Sequence, residues 1–167
     1  MIYIDEPIIQ IIMWIFLDID GVLVPEKKFD KPVPQEEYMK FDTYCLNEFE
    51  NVLRSFEQAK VVISSSWREI FPFEVIPPLF SPDIRARIVG ATPLLETKII
   101  HNFQFLRHQE VMEYLRQNNQ SEDSHWVAVD DIPEHYAPEA PVVATDPYIG
   151  FDQNSAKTLS QYLGSFR

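Results

Sequence analysis

The stretch WIFLDIDGV, running from Trp14 to Val22, decides how the rest of the chain is read. Trp14 to Ile19 is rich in bulky and β-branched residues, as expected of a buried strand, and Gly21 closes it with a residue that lets the chain turn sharply. Asp18 and Asp20 are separated by one residue, so an extended backbone would send both carboxylates to the same side at the strand's exit. Asp followed by Gly after a strand is also ordinary turn chemistry, and this pair alone carries no function. Its weight depends on what the neighbouring segments place beside it.

Working outward, Asp42 is placed as the N-cap of a helix in which Cys45, Leu46, Phe49, Val52, Leu53 and Phe56 recur at helical spacing as far as about Gln58. A short β-branched run, Val61 to Ile63, follows and stops at Ser64, Ser65 and Ser66 before Trp67 and Arg68. Residues 25–40 read as a solvated loop bordering the end of the first strand, and the proline-rich residues 70–95 resist assignment apart from a brief strand over Arg87 to Gly90. Helical spacing returns from Leu106 to Gln117. A third apolar strand, Trp126 to Val129, ends in Asp130 and Asp131, and a fourth, Pro141 to Ala144, ends in Thr145 and Asp146. A last helix spans about Asn154 to Leu163, with Ala156, Leu159 and Leu163 inward. Strands alternating with helices predict an α/β, doubly wound, Rossmann-like and mostly parallel sheet with helices on both faces. Such sheets place their sites at the carboxyl edge, where every polar cluster named here falls.

Two neighbouring carboxylates suit phosphoryl chemistry. One can attack phosphorus while the other gives a proton to the leaving oxygen and later activates water. Their mutual repulsion, and that of a phosphate, calls for a hard cation, and all-oxygen ligation points to Mg2+. The ordered set (DIDGV after one strand, serine after the next, a cation before a later helix, and paired aspartates ending another strand) resembles the haloacid dehalogenase (HAD) superfamily of phosphatases from Trp14 to Asp146. The resemblance implies that Asp18 is the nucleophile and Asp20 the general acid and base, with the Asp20 backbone carbonyl also on the metal. It implies that Ser64, with Ser65 as its rival, binds the phosphoryl group, and that Arg107 or Lys98 balances its charge, Arg107 being favoured because it opens the helix before the Asp130 strand. Asp130 would bind the metal directly and Asp131 through water or by steadying the ligands. The SSSWR run further resembles a subgroup associated with RNA-repair proteins. Arg68 is a candidate contact for a second substrate phosphate, although an arginine on a helix flank is more often a structural ion-pair partner. The four histidines lack metal-ligand spacing, and only His135, just beyond the paired aspartates, stands near the expected site.

The chain has 167 residues, 46% of them apolar, enough for one domain with a real core. Residues 1–12, which end before Met13, read as a dispensable leader. Cys45, the single cysteine, excludes an internal disulfide and reads as a small core residue. No apolar run reaches membrane-span length, and Asp5 and Glu6 stand where a secretory signal would be basic, so a cytoplasmic location is expected. The formal net charge of -12 argues against extensive nonspecific binding to nucleic acid. There is no room for a large cap domain either side of the serine run. An open site suits a bulky phosphorylated substrate, a polynucleotide end or a phosphoprotein. The alternative from another class is a noncatalytic phosphate-binding or regulatory module on the same fold.

Overall fold

The computed structural model describes residues 11–95 and 104–166. Five strands, β1 (Met13–Leu17), β2 (Ala59–Ile63), β3 (Ile88–Ala91), β4 (Trp126–Asp130) and β5 (Val142–Ala144), form one sheet in the order β3-β2-β1-β4-β5 with every pairing parallel. The strand order grows outward from β1 in both directions, so the sheet reverses beside β1. The crevice at that reversal lies between β1 and β4.

Among the described residues four α-helices accompany the sheet: α1 (Thr43–Ser55), the single turn α2 (Trp67–Ile70), α3 (Leu106–Gln117) and α4 (Gln153–Ser165). The unbroken apolar reading of the strands has a simple cause. Alternate residues feed two different cores. Ile15 and Leu17 of β1, Val61 and Ile63 of β2, and Val127 and Val129 of β4 join Phe49 and Leu53 of α1 and Leu159 and Leu163 of α4. Trp14, Phe16, Val62, Trp126 and Ala128 face the other way, onto Val111, Tyr114 and Leu115 of α3. Here aromatic rings meet edge to face, Phe16 against both Tyr114 and Trp126. Cys45 is fully buried in the first core.

Asp42 caps α1 as its sequence predicts, its Oδ1 accepting from the Cys45 amide at 2.9 Å. The other end of α1 is closed by Arg87, whose guanidinium donates to the carbonyls of Leu53, Phe56 and Ala59. Residues 70–87, which periodicity leaves unassigned, fold as short 3₁₀ turns leading into β3. Their order comes from side chains binding backbone: buried Glu50 accepts from the Ser81 amide and hydroxyl, and Arg85 donates to the Phe80 carbonyl. The strand read as Arg87 to Gly90 runs Ile88–Ala91. No large cap is inserted in this fold, and no helix among the described residues is long and apolar enough to cross a membrane. Residues 1–10 and Lys98, one of the two candidate charge-balancing cations, lie outside the described residues.

Candidate active site

The parallel register fixes the site. Leu17 is level with Ile63 on one side and Val129 on the other, so Asp18, Ser64 and Asp130 leave three adjacent strands at the same height. The Asp18 amide donates to the Val129 carbonyl and the Ser64 amide to the Leu17 carbonyl, which carries the sheet ladder into the site itself. One carboxylate oxygen each from Asp18, Asp130 and Asp131 lies within 4.8 Å of the others. Oxygens sharing one magnesium or calcium ion sit at most about 4–5 Å apart, so this group can hold a hard divalent cation, and it offers no nitrogen or sulfur that would favour a softer metal.

Gly21 makes the third member possible. Its φ is +75°, and a Cβ there would lie 2.6 Å from the Asp131 carboxylate carbon. Thr145, just after β5, clamps the turn: its hydroxyl donates to the Gly21 carbonyl at 2.8 Å and its amide to the Asp130 carbonyl at 3.1 Å. Asp130 is almost fully buried and accepts from the Ile132 amide at 2.9 Å and from the Tyr136 hydroxyl at 3.0 Å. Neither Thr145 nor Tyr136 stands out in the sequence, because each reaches the site only through the fold.

The electrostatics reflect crowding of like charge. Burial first, and then the Asp130 carboxylate, push Asp18 up to about 8, against the Ile19 amide and Arg107, which favour its charged form. Burial likewise pushes Asp130 up to about 6, opposed by the Ile132 amide and the Tyr136 hydroxyl. Without a cation the site therefore retains protons that a cation would displace.

Asp20 stands apart from this group. β1 ends at Leu17, so strand alternation does not extend to Asp20; its side chain is exposed and accepts from the Trp67 indole N–H at 3.0 Å. Trp67 was legible only as part of the SSSWR run, and its bond to Asp20 gives that run a mechanical meaning. The serines divide their work. Ser65 Oγ accepts from the Trp67 amide at 3.3 Å, whereas Ser64 Oγ is buried near the Tyr136 hydroxyl and completes no well-formed hydrogen bond among the described residues. A buried hydroxyl without a partner is costly unless a ligand supplies one, which favours Ser64 over Ser65 as the phosphate contact.

Arg107 lies in the first turn of α3, its charge felt by both Asp18 and Asp130. It shares Glu110 with Arg68: Arg68 Nη2 is 2.8 Å from Glu110 Oε1, and Arg107 Nη1 is 3.4 Å from Oε2. Glu110 itself was not singled out from sequence, although an arginine three residues before a glutamate is a recognisable helical pair. A cavity of about 260 Å³ lies against these residues, lined also by Leu94, Leu95, Leu106 and His135. A larger one, about 650 Å³, runs along the outer side of α3 past Phe105, Met112 and Arg116 and includes none of the carboxylates.

Against known proteins, the family described as "HAD domain in Swiss Army Knife RNA repair proteins" matches residues 14–156. No curated protein and no solved structure gives a significant match.

Proposed function

The chain belongs to the family of HAD domains in Swiss Army Knife RNA repair proteins, and from that premise we infer that it is a magnesium-dependent phosphatase that removes a terminal phosphate from an RNA end. The observation that carries this reading is the convergence of Asp18, Asp130 and Asp131 at the carboxyl edge of the sheet. HAD membership speaks for a phosphatase-type hydrolase, and the family's description, which names RNA repair proteins, supports an RNA substrate. The absence of a large cap leaves the strand ends open to a macromolecule.

In this reading an Asp18 oxygen attacks the phosphorus of the monoester. A bond forms between that oxygen and phosphorus as the bond from phosphorus to the ribose oxygen breaks, and Asp20 gives its proton to the departing oxygen. Water then attacks the phosphorus of the aspartyl phosphate and gives a proton to Asp20, so that Asp18 leaves as a carboxylate and inorganic phosphate is released. Ser64 Oγ and Arg107 hold the non-bridging oxygens through both steps. Asp18, Asp130 and Asp131, with the Asp20 carbonyl, would hold the magnesium ion. Its bound charge would let carboxylates and phosphate approach one another and keep Asp18 ionised. The Trp67 indole keeps the Asp20 carboxyl at the mouth of the site by occupying Oδ1, which leaves Oδ2 to handle the proton.

The test is phosphate release from an aryl phosphate, from 3′- and 5′-phosphorylated RNA, and from phosphopeptides, with magnesium or with chelator. The wild type should release phosphate fastest from one RNA end and only with magnesium. Asp18→Asn should be slower by at least about a thousandfold. Preference for phosphopeptides would replace the RNA end with a protein substrate, and magnesium binding without turnover on any member would leave a noncatalytic phosphate-binding module.

A further inference from the structure

Apart from Arg107, the 260 Å³ cavity between α2 and α3 is lined by residues that the hydrolysis of a single phosphate does not use. Arg68 is its innermost cation, with a side chain only 6% exposed. Two of its nitrogens are held: Nη1 donates to the Ser65 carbonyl at 2.6 Å and Nη2 pairs with Glu110. The third, Nε, is buried with no hydrogen-bond partner among the described residues. His135, which also lines the cavity, likewise has a buried Nδ1 without a partner among the described residues. Arg68 and His135 thus bring two unpartnered nitrogens to the wall of one cavity, each shut off from solvent and each costly unless a polar group reaches it.

The charges indicate what that group is. Glu110 is one carboxylate shared by two guanidiniums, Arg68 and Arg107; their other acidic neighbours in the site, Asp18 and Asp130, would be engaged by the metal ion when it is bound. Glu69, the other acidic residue of the lining, is exposed, and water screens it. The cavity also adjoins the carboxylates, for Arg107 belongs to both, and the charges of Arg68 and Asp18 act on each other. Leu94, Leu95 and Leu106 form its apolar side and can pack against the sugar or base that joins two phosphates.

The geometry points to a subsite for a second phosphate of the substrate, held by Arg68 and His135, while Arg107 stays with the terminal phosphate at Asp18. Glu110 is the positioning residue that holds both guanidiniums at their posts. This inference rests on the phosphatase reading above for its first phosphate. The second phosphate is supplied either by the next phosphodiester of a polynucleotide or by the other end of a nucleoside bisphosphate.

Binding, rather than turnover, separates the two readings. The full chain carrying Asp18→Asn, with magnesium, is titrated calorimetrically with adenosine 5′-monophosphate, adenosine 3′-monophosphate, adenosine 3′,5′-bisphosphate and a dinucleotide with one terminal phosphate. The subsite predicts that the bisphosphate, and the dinucleotide if a phosphodiester serves, bind at least about tenfold tighter than either monophosphate. Adding Arg68→Gln should remove that gap. If only the bisphosphate shows the gap, the source is a small bisphosphate; if the dinucleotide shares it, the source is a polynucleotide. Equal affinities for one and two phosphates, or a gap that survives Arg68→Gln, would overturn the subsite whatever the phosphatase assay gives. Should Arg68→Gln fail to fold, as its melting would report, Arg68→Lys is read in the same way, because it keeps the charge beside Glu110 but has no Nε–H at that position.

Discussion

Buried beside Asp130, with the Ile19 amide and Arg107 opposing the repulsion, Asp18 retains a proton far above the range of an ordinary carboxylate. The sign of the consequence follows from linkage. The folded protein holds protons that the unfolded chain releases above its ordinary value of 3.8, so this contribution to stability is complete below that value and is lost as pH rises through about 8. In chelator the melting temperature should therefore fall between about pH 5 and pH 9 relative to a magnesium-saturated sample, and the stabilisation by magnesium should grow over the same interval. Magnesium stabilisation that does not change with pH would contradict this account of the site. Tyr136 offers a second check, because its hydroxyl steadies Asp130 without itself joining the carboxylate group. Tyr136→Phe should raise the magnesium concentration needed for half-maximal activity about tenfold, as read from an activation curve. Asp18, Asp20, Asp130 and Asp131 could be picked out from sequence because each stands directly after an apolar run that announces a strand end. Glu110 and Tyr136 follow no such run, and Thr145, although it ends one, takes its role from the Gly21 carbonyl far away in the chain.

At the scale of elements, the strands and long helices follow from periodicity, and α3 has the predicted bounds, Leu106–Gln117. The strand alternation sends one set of residues to α1 and α4 and the other to α3, so the same apolar run serves two cores. Residues 70–87 were illegible for a different reason. Their order depends on ionic side chains binding backbone carbonyls and amides, which leaves no repeat in the sequence. Arg87 is the clearest case, spanning three carbonyls where α1 ends and β2 begins. Arg87→Ala should lower stability by about 2 kcal/mol in denaturant unfolding, with a smaller recovery in Arg87→Lys because an ammonium cannot span all three acceptors. A loss below a few tenths of that figure would mean that water replaces the guanidinium at no cost.

For the molecule as a whole, a net charge of -12 surrounds a site that gathers Arg68, Arg107 and His135 near its carboxylates. Such a surface repels the length of a polynucleotide and leaves attraction only where the cations are exposed to a ligand, which fits recognition of an end rather than a track. The fold class and the order of the acidic segments were legible because a doubly wound sheet puts successive strand ends at one edge, and the family match over residues 14–156 agrees with both. The proposed second-phosphate subsite was not, since its lining comes together from α2, α3 and two loops. The central claim is that Asp18 takes the phosphoryl group. It is tested most directly by mixing the protein with RNA radiolabelled in its terminal phosphate, with magnesium, quenching in acid and mapping the label. The account predicts an acid-stable, hydroxylamine-sensitive label on the peptide containing Asp18, absent in chelator and in Asp18→Asn. Phosphate release without a labelled protein, undiminished in Asp18→Asn, would contradict it.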